Sequence, residues 1–299
     1  MEAIKLKKLK KLKKLKEKII ENFFLICALV AVISVLAITF FVFYNGLKPF
    51  VTNSYPFWNF ISGVEWRPGS NMYGIFYMIV GSVFATTGAI LIGVPIAIFT
   101  AVFIAEMASS QIGKVIRFAV ELLAGIPSVL YGVFGLGIIV PYVLKISPKA
   151  QGESLLATIL VLAIMILPTV ISISETSIGA VPKAYREGSY ALGASKIQTI
   201  FKVVIPAARS GIMTGVILGI GRAIGETIAV MLVCGNPIAG IPTSLFDQIR
   251  PLTTNIALEM GYASGVHQQL LYSTGVVLFV FIMIINVIVN KLVKVRVDS

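Results

Sequence analysis

Charged residues are scarce in this chain, as are the two residue types that most often build metal and redox sites. Only 13% of the 299 residues are charged, and there are two cysteines and one histidine. Cys27 and Cys234 belong to opposite halves of the chain without a C-x-x-C spacing, and His267 has no companion. We therefore expect no metal site, no redox centre and no cofactor, with both thiols packed as small apolar groups and His267 at the surface.

Sequence motifs for nucleotide binding are also missing. A P-loop requires G-x-x-x-x-G-K-[ST], and the nearest fragment, Gly113 and Lys114, lacks the upstream glycine and the following hydroxyl. The G-x-G spacing at Gly219 and Gly221 follows no predicted strand, which excludes a dinucleotide-binding fold. Because no acid–base or metal set for an enzyme is evident either, we predict a non-catalytic protein that does not hydrolyse ATP by itself.

Apolar residues, by contrast, dominate the composition. They make up 57% of the chain, and the mean hydropathy is +0.94, far from the values of soluble proteins. A helix of roughly 20 apolar residues is long enough to cross the hydrocarbon core of a bilayer. The sequence therefore predicts an all-α polytopic membrane protein with six transmembrane helices. Their predicted bounds are 23–43, 75–104, 115–140, 155–174, 207–233 and 270–289.

Basic residues are distributed unevenly between the segments that join these spans. With the N-terminus in the cytoplasm, nineteen of the 25 Lys and Arg residues lie on the cytoplasmic side and five lie outside. The ratio remains ten to five without the nine lysines of the tail, as the positive-inside rule requires. We therefore expect a multi-pass protein of the inner (cytoplasmic) membrane with both termini in the cytoplasm. Its parts are a Lys-rich tail (1–22), a transmembrane domain (23–292) and a C-terminal tail (293–299).

The tail repeat, KLKKLKKLKKLKEK, supplies most of the net charge of +12. Its leucines recur every third residue, so they spread over about half of a helix circumference and make a weak apolar face. Each lysine near anionic lipid is worth about 1 kcal/mol. We expect the tail to bind anionic membrane lipid and no nucleic acid. A solvated charge run that only fixes the topology is an equally good alternative.

The fifth predicted span carries a charged pair in the sequence GVILGIGRAIGET. Arg222 and Glu226 are four residues apart, which places both on one face of a continuous helix. A charge at the bilayer centre costs about 2.5 kcal/mol or more, so an arginine there is a candidate functional residue. The nearby glycines are expected to let neighbouring helices approach and to leave room beside the pair. They are Gly215, Gly219, Gly221 and Gly225.

The chemistry of this pair suits a tetrahedral oxyanion. The planar fork of Arg222 can bind such an anion through two hydrogen bonds. Phosphate near neutral pH still carries a proton, and the Glu226 carboxylate can accept a hydrogen bond from it, whereas sulfate has no such proton. Thr227 can add a hydroxyl. Arg222, Glu226 and Thr227 are therefore the predicted substrate pathway. The alternative is an internal salt bridge between Arg222 and Glu226 that only holds helices together.

A polar, glycine-containing loop, EGSYALGASKIQTIFKVVIP, separates two apolar segments. Pro182 can start a short helix before it, Gly193 can end or bend that helix, and Pro206 can open the next apolar segment. The loop resembles the EAA loop of ABC importer permeases. That loop has a Glu followed by small residues, a Gly six positions after the Glu, and an apolar-x-apolar-Pro ending whose Pro lies thirteen positions after the Gly. The positions in register are Glu187, Gly188, Ser189, Gly193, Val203, Ile205 and Pro206.

Other stretches extend the resemblance to the phosphate permeases of the binding-protein-dependent transport system inner-membrane component family. They are WRPGSNMYG (66–74), ELLAGIPSVLYG (121–132), MILPTVISISETSIGAVP (165–182), REGSYALGA (186–194) and GRAIGET (221–227). The resemblance implies a type I ABC importer permease architecture with a coupling loop at 183–206 that docks on an ATPase. It also implies an ATP-driven importer of inorganic phosphate in which this chain forms the translocation pathway.

The resemblance further implies four kinds of partner besides membrane lipid. They are phosphate, a second permease subunit (PstA-like), a dimer of ATPase subunits (PstB-like) and an extracytoplasmic phosphate-binding protein (PstS-like). Three alternatives stay open at this point. They are a permease for another oxyanion such as sulfate or molybdate, the sister phosphate permease PstA, and a membrane signalling or scaffold protein.

Two local features carry further structural predictions. Pro127 is expected to kink or break the third span, because it removes one hydrogen bond of the helix. Aromatic residues of the outer segments are expected to form an interfacial belt. These are Tyr55, Phe57, Trp58, Phe60, Trp66 and Tyr73.

Overall fold

The computed structural model describes residues 2–52 and 55–297. This part of the chain is helical except for one short hairpin and the connecting loops. The elements are α1 (Glu2–Val51), α2 (Phe57–Ser62), β1 (Trp66–Arg67), β2 (Met72–Tyr73), α3 (Phe76–Val102), α4 (Ser110–Gly125), α5 (Ser128–Phe134), α6 (Val140–Ile146), α7 (Leu155–Gly179), α8 (Lys183–Ala191), α9 (Lys196–Thr199), α10 (Ile205–Ala207), α11 (Arg209–Gly225), α12 (Ile228–Val233), α13 (Leu252–Glu259) and α14 (Gly265–Val297). A 3₁₀ turn (Pro68–Ser70) joins the two antiparallel strands, and π-helical turns follow α3 (Phe103–Met107), α5 (Gly135–Ile139) and α9 (Ile200–Val204).

The described residues contain five straight helical segments that are long and apolar enough to cross a membrane. A sixth candidate is a pair of helical segments that meet at a bend of 69°. The prediction of an all-α protein with six spans is therefore confirmed. The straight segments are Lys16–Val51, Phe76–Met107, Ser128–Ile146, Leu155–Gly179 and Gly265–Val287, and the bent pair is Lys196–Ala207 with Arg209–Gly225.

The third span begins later than the predicted range of 115–140. Ile126 and Pro127 both have extended backbone angles, so α4 ends at Gly125 and a new helix begins at Ser128. The break at Pro127 is as predicted, because proline has no N–H to continue the hydrogen-bond ladder. The predicted bounds are wrong, because the break makes α4 a separate helix and the span runs on to Ile146.

The fifth span is also interrupted, where the sequence predicts one helix over 207–233. α11 ends at Gly225, Glu226 has an extended backbone (φ −71°, ψ 132°), and α12 begins at Ile228. Glycine is a poor helix former, and the Glu226 side chain accepts a hydrogen bond from the Ala229 N–H at the start of α12. The predicted placement of Arg222 and Glu226 on one face of a continuous helix is therefore wrong.

The first span and the Lys-rich tail form one helix. α1 runs from Glu2 to Val51 and has 50 residues, which corresponds to about 75 Å at 1.5 Å per residue. Because the hydrocarbon core is only about 30 Å thick, α1 is longer than a single crossing requires. Residue 1 of the predicted tail and residues 298–299 of the predicted C-terminal tail lie outside the described residues.

The centre of the bundle is built on close contact of α7 with α3 and α11. A Cβ atom on Gly93 of α3 would lie 2.9 Å from the carbonyl oxygen of Ala163, so only glycine allows this approach. A Cβ atom on Gly219 of α11 would lie 2.6 Å from the Val170 side chain, which itself is fully buried. The close packing on α7 therefore sets the position of α11, the helix that carries Arg222.

Candidate functional site

Arg222 lies in the last turn of α11, where the carbonyl end of the helix dipole favours a positive charge. Its side chain is partly exposed, and Nη1 lies 3.5 Å from the hydroxyl oxygen of Thr169 on α7. Tyr131 of α5 is close enough to interact electrostatically with the guanidinium. Arg222 therefore sits where α5, α7 and α11 meet, and its contact with Thr169 engages Nη1.

Glu226 and Thr227 form the break between α11 and α12. One oxygen of the Glu226 carboxylate accepts a hydrogen bond from Ala229 N at 3.0 Å, and the Thr227 hydroxyl donates to the Gly225 carbonyl at 3.3 Å. The Thr253 hydroxyl of α13 donates to the backbone carbonyl of Glu226 at 3.1 Å. Among the described residues no ion pair joins Arg222 to Glu226, so the predicted alternative of an internal salt bridge does not describe this structure.

The four glycines of α11 divide into two pairs with different surroundings. Gly215 and Gly219 face α7, since a Cβ atom on either would lie 3.2 Å or less from a side chain of that helix. A Cβ atom on Gly221 or Gly225 would meet nothing within 4 Å. Gly215 and Gly219 let α11 pack on α7, as predicted. Gly221 and Gly225, which flank Arg222 in the sequence, have no such neighbouring atoms.

The 183–206 loop folds as two short helices around a glycine. α8 begins directly after Pro182, as predicted, and it ends before Gly193, whose φ of +83° is the left-handed conformation that glycine favours. α9 begins with a capping box in which the Ser195 hydroxyl accepts from the Gln198 N–H and the Gln198 side chain accepts from the Ser195 N–H. Pro206 lies in the first turn of α10, as predicted for a proline that opens a helical segment, and a bend of 69° separates this short helix from α11, which begins at Arg209.

The predicted coupling residues are spread over both sides of this loop. Glu187 and Gly188 are exposed, and the Ser189 hydroxyl lies 2.9 Å from that of Thr199, which ties the two helices together. A surface groove of about 480 Å³ lies between them. Its lining includes Tyr185, Ser189, Leu192, Gly193, Lys202 and Val203. Leu192 is 91% exposed at the edge of this groove.

The sequence did not indicate an ion pair at the base of this loop. Arg186 of α8 pairs with Glu106 in the π-helical turn after α3, and their side chains are only 18% and 8% exposed. Both residues flank apolar spans, where charged residues are common, and they are 80 positions apart. Only the tertiary packing brings them together.

A second buried network lies at the opposite end of the bundle, beside the β1–β2 hairpin. The Glu259 carboxylate accepts hydrogen bonds from Arg250 and, at 2.6 Å, from Trp66 Nε1, and it lies 2.7 Å from Nε2 of His267. The prediction that His267 is a surface residue is wrong, because its side chain is 12% exposed. Trp66 and Phe60 are fully buried and Tyr73 is 4% exposed, so the prediction that they belong to an interfacial belt is wrong. Trp58 is 74% exposed, as an interfacial belt requires.

Comparison with known proteins shows which family the chain is similar to. The model for "Binding-protein-dependent transport system inner membrane component" matches residues 93–298. The chain is 41% identical to "Probable ABC transporter permease protein YqgH" of Bacillus subtilis over 89% of this chain and 88% of that protein. It is 35% identical to "Phosphate transport system permease protein PstC" of Mesorhizobium japonicum over 81% of this chain and 79% of that protein.

Solved structures support the same fold. A chain of a bacterial ABC transporter involved in the import of the acidic polysaccharide alginate superposes with a TM-score of 0.65 at 16% identity, covering 94% of this chain and 98% of that one. At this identity the likeness concerns the fold alone, which is that of an ABC importer membrane subunit. The chain therefore belongs to the family of binding-protein-dependent transport system inner membrane components.

Proposed function

We propose that this chain is the transmembrane permease subunit of an ATP-driven importer of inorganic phosphate. The observation that carries the proposal is the partly exposed Arg222 guanidinium at the end of α11, in a chain whose relatives include a phosphate transport system permease. A guanidinium carries a planar set of N–H donors, which suits a tetrahedral oxyanion. The chain has no catalytic role of its own, and ATP is hydrolysed by a separate subunit.

In this proposal Arg222, Glu226 and Thr227 line the path of the anion. Arg222 binds two phosphate oxygens, and Thr227 contributes a hydroxyl. One oxygen of the Glu226 carboxylate is held by Ala229 N, which leaves the other to accept the hydrogen of a protonated phosphate. A fully ionised anion such as sulfate offers no hydrogen to this oxygen and is repelled, so Glu226 provides the discrimination.

The 183–206 loop is, in this proposal, the surface on which the ATPase subunit docks. Its exposed Leu192 and the groove beside it support this role, because an isolated membrane subunit gains nothing from exposing them. In the proposed orientation the loop and both termini lie in the cytoplasm, and the asymmetric distribution of Lys and Arg supports it. The hairpin end then faces outward, toward an extracytoplasmic phosphate-binding protein.

The complete transporter would contain a second, PstA-like permease, two PstB-like ATPase subunits and a PstS-like binding protein. ATP-driven closure of the two ATPase subunits would move both coupling loops and rock the two helix bundles against each other. The region around Arg222 would thereby open alternately to the outer and the inner side of the membrane.

Uptake by variants of the two charged residues tests this assignment. Arg222→Lys keeps the charge but loses the fork, and we expect phosphate uptake by the reconstituted complex to fall roughly tenfold or more. Glu226→Gln is expected to lower phosphate uptake and to make sulfate a better competitor. Because the structure has no ion pair between the two residues, Arg222→Gln combined with Glu226→Gln should not restore uptake. Recovery of transport in the double variant, at normal complex yield, would contradict the anion-site assignment.

A further inference from the structure

We infer that Arg186 is a positioning residue that fastens the 183–206 loop to α3 and α7, so that a movement of the loop is passed to these two helices. The inference rests on the proposed function, since it concerns how an ATPase movement would reach the membrane domain. We call Arg186, Glu106 and the backbone carbonyls of Ile178 and Val181 the Arg186 clamp.

The clamp joins three parts of the chain through one guanidinium. Nε of Arg186 donates to the Glu106 carboxylate at 3.1 Å, and Nη2 donates to the same carboxylate and, at 3.0 Å, to the Ile178 carbonyl. Nη1 donates to the Val181 carbonyl in the turn between α7 and α8. Arg186 itself lies in α8, Glu106 follows α3, and Ile178 belongs to the last turn of α7. One side chain therefore holds α8 to both helices.

Burial makes these contacts strong and the arginine hard to replace. The side chains of Arg186 and Glu106 are 18% and 8% exposed, so water competes little for their hydrogen bonds. Lysine carries the same charge on a single nitrogen, and it cannot reach a carboxylate and two carbonyls in this planar arrangement. Glu106 lies in a π-helical turn, a local irregularity that is frequent at functional sites.

One helix held by the clamp, α7, contacts the proposed anion site directly, and the other, α3, is connected to it through α13. On α7, the hydroxyl of Thr169 lies 3.5 Å from Arg222. On α3, the hydroxyl of Ser82 accepts a hydrogen bond from the Leu252 N–H at 3.1 Å, next to Thr253, which donates to the Glu226 carbonyl. α3 and α7 are packed together through glycine contacts, so they can move as one body. A continuous set of contacts thus runs from the loop to Arg222 and Glu226.

The chain offers a matched control pair at the same end of the bundle. Arg117 of α4 pairs with Glu175 of α7, and their side chains are 45% and 17% exposed. The ion pair joins α4 to α7, and neither partner belongs to the 183–206 loop. Loss of the charge at Arg117 therefore removes an ion pair at this end of the bundle but leaves the Arg186 clamp intact.

The first experiment measures ATP hydrolysed per phosphate imported by the reconstituted complex. In Arg186→Gln we expect ATP hydrolysis to continue while uptake falls, so that the ratio of ATP to phosphate rises roughly tenfold. Arg186→Lys should lie between this variant and the wild type, and Arg117→Gln should stay within about twofold of the wild type. A proportional loss of hydrolysis and uptake in Arg186→Gln, or the same rise in Arg117→Gln, would overturn the inference.

The second experiment does not depend on the identity of the solute. Spin labels are attached to cysteines at Met107 and Tyr190, both exposed, in the complex with Cys27 and Cys234 replaced. If the clamp holds, the distance between the labels is the same in the nucleotide-free and ATP-bound states of the wild type, and it shifts or broadens in Arg186→Gln. A distance that changes equally in both proteins would contradict the inference.

The two experiments also separate this inference from the proposed function. A wild-type complex that imports no phosphate would contradict the proposed substrate, and the label distances would still decide whether the loop moves with α3. Conversely, normal phosphate import with an unchanged ATP ratio and unchanged label distances in Arg186→Gln would support the function and reject the clamp.

Discussion

Each end of the bundle buries an ion pair, and the two ends differ in the groups that lie beside it. At the hairpin end, the Glu259 carboxylate is surrounded by Arg250, Trp66 and His267, and all four side chains are buried or nearly so. At the other end, the 183–206 loop leaves Leu192 exposed beside an open groove. The hairpin end surrounds one carboxylate with three partners, whereas the loop end presents an exposed leucine beside a groove.

This difference separates residues that hold the subunit together from residues that act on something outside it. A buried carboxylate with several donors stabilises its surroundings, because removal of one partner leaves an uncompensated charge in a dry environment. An exposed leucine contributes almost nothing to the stability of the isolated chain. Substitutions at the two ends should therefore affect different measurements, namely stability at the hairpin end and complex formation at the loop end.

The largest expected effect concerns which side of the membrane each end faces. A cysteine at Ser70 should react with an impermeant thiol reagent only from outside, and one at Ser195 only from the cytoplasm, since both positions are exposed. The labelling is all-or-none, and it is measured in intact cells and in inverted vesicles after Cys27 and Cys234 are replaced. Reversed labelling would overturn the orientation and, with it, the docking of an ATPase on the loop.

A substitution at Glu259 should strongly destabilise the hairpin end. Glu259→Gln leaves the Arg250 guanidinium buried without its counter-charge, and we expect a loss of about 3–5 kcal/mol in the free energy of unfolding. The matched control is Glu65→Gln, because Glu65 and Arg67 form a more exposed ion pair at the same end, 3.4 Å apart. This control should cost less than about 1 kcal/mol. Equal apparent unfolding midpoints for the two variants in detergent would show that the buried network adds no special stability.

At the loop end, a charge at Leu192 should weaken ATPase binding without affecting the fold. Leu192 is 91% exposed, so Leu192→Glu removes no contact within the chain, and its unfolding free energy should change by less than about 0.5 kcal/mol. Burial of a leucine at an interface is worth about 1.5–3 kcal/mol, so the dissociation constant of the ATPase subunit should rise about tenfold or more. Val51→Glu, at an 81% exposed position of the hairpin end, is the control. Unchanged ATPase binding in Leu192→Glu would remove the loop from the interface.

The smallest predicted effect is a pH dependence at an ion pair on the surface. Lys149 lowers the pKa of Asp247 to about 2, and the backbone N–H groups of Thr243 and Ser244 act in the same direction. Because the pKa is lower in the folded than in the unfolded chain, this carboxylate stabilises the fold above about pH 4, and the stabilisation is lost as the pH falls toward 2. Since Lys149 is half exposed, we expect Asp247→Asn to cost about 1 kcal/mol at pH 7 and only a small fraction of that near pH 2. A difference between wild type and variant that is the same at both pH values would contradict this.

The sequence predicted features that depend on local patterns. Runs of apolar residues indicated the spans, and Pro182 and Gly193 correctly predicted where α8 begins and ends. Arg222 could be singled out because one charge in an apolar segment is conspicuous on its own. The breaks inside the third and fifth spans were harder to place, since a helix end within an apolar run depends on what neighbouring helices offer to the freed backbone groups.

Pairs of distant residues could not be predicted from one sequence. Trp66 and Glu259 are 193 positions apart, and Arg186 and Glu106 are 80 positions apart. Charged and aromatic residues at the ends of membrane spans usually face water or headgroups, so no local pattern distinguishes a buried pair from an exposed one. For the same reason His267 was expected at the surface, although it lies against Glu259.

The most direct test of the proposed function is uptake of radiolabelled phosphate into vesicles that contain this chain together with its second permease, ATPase and binding protein. We expect phosphate to accumulate only when ATP is supplied on the side of the 183–206 loop. Unlabelled phosphate should compete for uptake and an equal concentration of sulfate should not. Accumulation of sulfate or molybdate in place of phosphate, or phosphate uptake that proceeds without ATP, would contradict the account.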